Sequence, residues 1–200
     1  MNESAKKVFN VVLKVVTWIL IAFTVLIMLF TIITVSTVDK NEREIFGYRF
    51  YIVRTPSMSL SEENAHMDVH IDPGDIVIAK VVSDPKALQA GDIITFISFN
   101  EETYGKPVTH MIRQRDYSED GEFLGYTTYG TNTNSNDFVM VEPKYVLGSY
   151  AGKLPQVGYF FLYLKTTPGY ITFILAPFAL LILCNGVNIV RLFKQYKKEH

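Results

Sequence analysis

Cysteine is nearly absent from this sequence. Cys184 is the single one among 200 residues, so no internal disulfide forms and a cysteine-rich metal site is excluded. It sits among Leu181, Ile182 and Leu183, distant from any histidine, which argues against a thiol nucleophile. A surplus of basic charge is missing too. Lys and Arg total 19 against 20 Asp and Glu, a net charge of −1. Nothing here is the basic footprint of a nucleic-acid binder. Histidine is scarce, with four residues. A helical period is missing from the middle of the chain, roughly 47–165, which argues against a helical bundle there.

What the sequence does have is two long uncharged runs. Val15 to Val38 is the first. A helix of about 20 apolar residues spans a bilayer core, so this run is expected to be a transmembrane helix. A cleaved signal peptide has a shorter apolar region and an A-x-A-like exit. Val35-Ser36-Thr37-Val38 lacks that exit, so the run is read as an uncleaved anchor. Tyr170 to Val190 is the second run, interrupted by Pro177 and weakened by Asn185, Gly186 and Asn188. A buried core helix is the competing reading there. Lys6, Lys7 and Lys14 precede the first run, and Arg191, Lys194, Lys197 and Lys198 follow the second. Basic flanks stay in the cytoplasm. The expected order is a cytoplasmic N-terminus 1–14, a span 15–38, an extracytoplasmic domain 39–168, a span 169–190 and a cytoplasmic tail 191–200. The membrane is then a cell membrane crossed twice, with both termini inside.

The middle reads as mainly β. Alternating or β-branched runs predict strands near 48–54, 75–82, 92–99, 107–115, 123–130 and 145–152. Two of them open on Gly74-Asp75 and Gly91-Asp92, read as structural turns. Many short strands without a long helix suggest a barrel-like or coiled antiparallel sheet. Ser59 to Asp72 is polar and reads as a loop. Tyr159 to Leu164 reads as an apolar strand face, either in the core or at the headgroups.

Ser57, in Arg54-Thr55-Pro56-Ser57-Met58, ends the first strand. A serine needs a base and an oxyanion site before it attacks anything. His110, on the predicted strand 107–115, has the side chain for a base near neutral pH. A half-exposed strand histidine is an equal reading. Asp137 could orient that imidazole, and an Asx turn explains it equally well. His66, Asp68 and His70 have a metal-like spacing only on a helix; in a polar loop they are expected to be solvated. Lys80 is an alternative base, which would need burial to lower its pKa.

The ordered stretches Pro56-Ser57-Met58, Pro73-Gly74-Asp75-Ile76-Val77, Gly91-Asp92-Ile93-Ile94-Thr95-Phe96 and Val108-Thr109-His110-Met111-Ile112 resemble the boxes of type I signal peptidases. Histidine at 110, where the common bacterial enzymes carry lysine, resembles the endoplasmic-reticulum, archaeal and SipW-type branch. The resemblance implies a signal-peptidase-like antiparallel β domain outside the membrane, flanked by two transmembrane helices. It implies a serine endopeptidase with Ser57 as nucleophile, His110 as general base and Asp137 as the orienting acid. The Ser57 N–H and the Thr55 hydroxyl would hold the oxyanion. It implies no cofactor and no metal. Preproteins with signal peptides, the lipid bilayer and the secretion translocon are the implied partners. The sequence departs from that pattern at Thr131 and Asn136, where acids are usual, at Thr55-Pro56, and in the long loop 59–72. The missing acids at 131 and 136 motivate an alternative, a catalytically degenerate membrane protein that binds preproteins or assists surface-fibre assembly.

Overall fold

The protein is described from a computed structural model, which covers residues 8, 11–12, 14–26 and 44–199, with side chains omitted at 184, 187–195 and 198–199. It divides into two units, Asp39–Phe161 and Met1–Val38 with Leu162–His200. The first holds seven strands: β1 (Tyr48–Ile52), β2 (Ile76–Lys80), β3 (Ile93–Ile97), β4 (Pro107–Tyr117), β5 (Phe123–Gly130), β6 (Ser135–Asn136) and β7 (Val146–Leu154). They form one antiparallel sheet in the order β1-β2-β7-β3-β4-β5-β6. The six predicted strands are all present. The two-residue β6 was not predicted, because Ser135-Asn136 has no strand pattern of its own.

Position in the sheet explains the burial. β3 lies between β7 and β4, and Ile93 to Phe96 are all buried. Its alternation splits the core. Ile94 and Phe96 pack with Leu88, Ile112, Tyr126 and Val141. Ile93 packs with Met58, Ile71 and Val77. β1 is an edge strand and keeps Tyr48 and Phe50 exposed.

Both Gly-Asp pairs are turns, as read. Gly74 and Gly91 have φ of 89° and 92°. Asp75 Oδ2 accepts the Asp72 N–H at 3.0 Å, and Asp92 Oδ2 accepts the Gln89 N–H at 2.8 Å.

One expectation is overturned. Tyr159 to Leu164 is not a strand; it lies in helix α2 (Val157–Leu164). The run of aromatics has strand propensity, but tertiary context outweighs propensity. The first turn of α2 docks on the β2 turn. Gly158 N–H donates to the Gly74 carbonyl at 2.8 Å, and a Cβ on Gly158 would lie 2.6 Å from that oxygen. Gly at 158 permits that approach, which an extended chain would not make.

The second unit contains α1 (Lys14–Leu26), α3 (Thr167–Tyr170), a π-helical turn (Ile171–Leu175) and α4 (Ala176–Glu199). The expected span 15–38 lies only partly within the described residues, and 27–38 fall outside them, as do most of the expected cytoplasmic N-terminus 1–14 and residues 39–43. Among the described residues no single helix is long and apolar enough to cross a membrane. Val157–Leu164 and Thr167–Leu183 reach that length and composition only when counted together across their break.

Candidate active site

Ser57 follows β1 on a segment whose backbone is tied down on several sides. Val53 N–H donates to the Asp75 carbonyl at 2.9 Å. Met58 bridges to Ile71 and drops its side chain into the core, 2% exposed. That fixes the neighbouring Ser57, half-buried, above the cluster. The Ser57 carbonyl accepts the Asn132 N–H at 2.9 Å, and the Pro56 carbonyl accepts the Asn132 amide at 2.8 Å.

His110 stands on β4, opposite Ile94 of β3, and is 8% exposed. Its Nε2 lies 2.9 Å from Ser57 Oγ. Its Nδ1 lies 2.7 Å from Asp137 Oδ2. Burial alone would raise the Asp137 pKa. The hydrogen bond and charge of His110, with hydrogen bonds from Thr128 and Asn100, outweigh that and hold the carboxyl below its usual range. An ionised Asp137 can only accept, so Nδ1 carries the proton. Nε2 then presents its lone pair to the serine hydroxyl, which donates. A hydroxyl–imidazole–carboxylate line of this kind can move the serine proton as the oxygen attacks.

Gly130 makes room for this line. A Cβ there would lie 2.7 Å from the Ser57 carbonyl oxygen, 3.0 Å from Ser57 Cβ and 3.4 Å from His110 Nε2. Thr55 Oγ1 lies 3.4 Å from Ser57 Oγ on the exposed side. That is long for a hydroxyl pair, and it leaves the Thr55 hydroxyl free to turn toward another acceptor.

The remaining candidates lie apart from the line. Lys80 is exposed at the end of β2, and the group bonded to Ser57 Oγ is His110. His66 and Asp68 are exposed on loop 59–72, which forms turns rather than a helix. Among the described residues no group of three or more His, Cys, Asp or Glu side chains is arranged to hold a metal.

The two departures from the acidic pattern have different fates. Asn136 is exposed on β6. Thr131 is buried, accepts the Asn64 amide at 3.0 Å, and contacts Met58 Sδ at 3.6 Å. Asn64 is itself fully buried, donating to the Ser59 carbonyl and accepting from Ser61 N–H. Loop 59–72 is therefore tied to the 130–134 segment through its interior. Asn64, Asn100, Thr128 and Asn132 are the residues sequence reading missed. Asn64, Asn100 and Asn132 bond to Thr131, Asp137 and Pro56, 67, 37 and 76 residues away, and the nearer pairs fit no motif, so no local spacing marks them.

No family model matches the chain. A comparison with curated proteins finds signal peptidase I W of Bacillus subtilis (strain 168), 31% identical over 133 residues. The chain is related to that signal peptidase. The match covers 66% of the chain and 62% of the signal peptidase. It agrees with the SipW-type resemblance of the four sequence boxes.

Proposed function

We propose that the protein is a membrane-anchored serine endopeptidase that removes N-terminal signal peptides from secreted preproteins. The observation that carries this reading is the line Ser57–His110–Asp137, with contacts of 2.9 and 2.7 Å. Ser57 attacks the carbonyl at the end of the signal peptide. His110 takes the hydroxyl proton and returns it to the leaving amine, help typically worth about 10²–10⁴ in rate. Asp137 fixes the imidazole's tautomer and steadies its positive charge. The Ser57 N–H and the Thr55 hydroxyl hold the oxyanion, where one donor is worth about 10²–10³. Water then releases the acyl group from Ser57 with His110 again as base.

In this reading the runs 15–38 and 169–190 are membrane spans of the cell membrane and both termini are cytoplasmic. The domain between them works outside, where the secretion translocon delivers its substrates. The preprotein's apolar segment shares the bilayer with the anchors, which raises effective concentration without deep pockets. Pairing of Asp137 with His110 favours this enzymatic reading over a degenerate binding protein, since the line is complete without acids at 131 and 136.

The test is cleavage of a membrane-embedded preprotein by the purified full chain in liposomes. Ser57→Ala and His110→Ala are expected to lower the rate by at least about 10³-fold, and Lys80→Ala to leave most of it. A dead but folded Lys80→Ala enzyme overturns the assignment of the base. No cleavage of several preproteins by the unaltered chain overturns the enzymatic reading.

A further inference from the structure

Asp137 accepts hydrogen bonds from three side chains, on β4, on β5 and on the connection between β3 and β4. His110 Nδ1 and Thr128 Oγ1 share its Oδ2, at 2.7 and 2.6 Å. Asn100 Nδ2 donates to the other oxygen, Oδ1, at 3.1 Å. With both oxygens engaged, the carboxylate cannot rotate without breaking a bond to a charged acceptor, among the stronger hydrogen bonds in proteins.

The local setting of Asn100 is unusual. It is the N-cap residue of the 3₁₀ turn Glu101–Thr103, with extended φ and ψ of −66° and 145°. Asparagine is favoured at such positions because its side-chain oxygen accepts a free backbone N–H of the first turn. Asn100 makes no such bond. Among the described residues its buried Oδ1 has no partner, while its NH₂ points at Asp137. Turning the amide over would set oxygen against carboxylate, so the acid fixes the orientation. The turn itself is held by other groups. Ser98 Oγ accepts the Asn100 backbone N–H at 3.2 Å and pairs with Thr103 Oγ1 at 2.6 Å. Thus the Asn100 side chain gives up its local role, and among the described residues its bond goes to Asp137.

We propose that Asn100 is a positioning residue for the Ser57–His110–Asp137 line, gripping one oxygen of Asp137 so that the other stays on His110. The inference rests on the serine–histidine reading above. Asp137 and Ser57 are the side chains bonded to His110, the Phe96 ring packs edge-on against it, and Asp137 is its ionic partner. A change in how Asp137 is held therefore reaches His110 directly. Without the amide donor, more of the carboxylate's charge falls on the imidazole, and the protonated ring is favoured.

Three variants of the full chain test this, Asn100→Ala, Asn100→Asp and, as a control, Ser98→Ala. Each is read by preprotein cleavage against pH and, in detergent, by the NMR signal of the proton shared between His110 Nδ1 and Asp137. Asn100→Ala is expected to lower kcat about tenfold with KM within about twofold, the size of one bond to a charged group. The acidic limb of its cleavage profile moves, and the shared-proton signal shifts. Asn100→Asp sets a second carboxylate nearby and moves both further in the same direction. Ser98→Ala loosens the same turn without touching Asp137 and leaves limb and signal in place. The proposal fails if Asn100→Ala keeps the limb and kcat of the unaltered chain, or if Asn100→Asp leaves the shared-proton signal unmoved. If the unaltered chain cleaves nothing, the enzymatic reading fails on its own. The signal then still decides whether Asn100 acts on His110 through Asp137.

Discussion

Asp75 is buried and Asp137 half-buried, and both carboxylates are kept ionised by similar means in different regions of the sheet domain. Asp75 sits at the mouth of β2, 1% exposed. Its donors are the backbone N–H groups of Asp72 and Gln156 and the ammonium of Lys153, at 3.0, 3.0 and 2.7 Å. Asp137 lies beyond β5, and its donors are side chains of His110, Thr128 and Asn100. At both, burial pushes the pKa up and the donors pull it further down. The difference lies in what the donors can do. Two backbone groups and a lysine form a fixed tie, which closes the β2 turn and docks the segment before α2. An imidazole can accept and return a proton, so in the proposed reading a similar carboxylate environment serves proton transfer once the partner is His110.

Substituting each acid by its amide separates the two tasks. In Asp137→Asn, the asparagine presents oxygen or nitrogen to Nδ1 without charge and the tautomer is no longer enforced. Cleavage is expected to fall about 10⁴-fold, with substrate binding little changed. Asp75→Asn leaves Lys153 without its buried partner. A loss near 3 kcal/mol is expected, at the lower end because the Lys153 side chain is 25% exposed. The folded fraction of that variant should cleave at close to the ordinary rate. Unfolding by urea, followed by circular dichroism, beside cleavage per folded molecule, measures both. A large rate loss in folded Asp75→Asn would erase the distinction.

A smaller effect is expected where backbone approaches the line. Gly130→Ala introduces a Cβ that would lie 2.7 Å from the Ser57 carbonyl oxygen and 3.4 Å from His110 Nε2. Backbone oxygen cannot swing aside as a flexible side chain can, so the 130 segment or Ser57 must shift. A displacement approaching 1 Å at a reacting group costs about 10²-fold in rate. Turnover of Gly130→Ala on the same preprotein, compared with a Gly186→Ala control whose added Cβ meets nothing within 4 Å, checks this.

The two regions also differ in how far the sequence revealed them. Pro73-Gly74-Asp75 is a turn signal written in consecutive residues, and its strands follow from alternation. The antiparallel sheet was legible for that reason. Ser57, His110 and Asp137 were legible as candidates, but only the resemblance to a family ranked them above turns and half-exposed polar residues. Asn100 and Thr128 were not legible. Asn100 is 37 residues from Asp137, and strand order β3-β4-β5, which brings them together, exists only in three dimensions. The α2 segment misled for a related reason. Its aromatic run favours extended chain locally, while contact with Gly74 selects helix.

The last difference between the two acids is in acid stability. Each has a folded-state pKa below the 3.8 of an ordinary aspartate. The folded protein therefore binds fewer protons than the unfolded one as pH falls from about 3.8 toward the depressed value. The stabilisation is complete above pH 3.8 and disappears as pH falls through the folded-state value. Asp75→Asn, weaker at neutral pH, has no such proton to take up at that site. Its unfolding free energy should approach that of the unaltered chain as the pH drops below about 4. Urea midpoints measured from pH 7 to pH 3 will show the two curves converging if Asp75 is a fixed ionic tie. Parallel curves would mean that Asp75 keeps its ordinary affinity for protons in the folded protein. Asp137→Asn should converge with the same sign, because the donors of Asp137 likewise hold its carboxyl below its usual range.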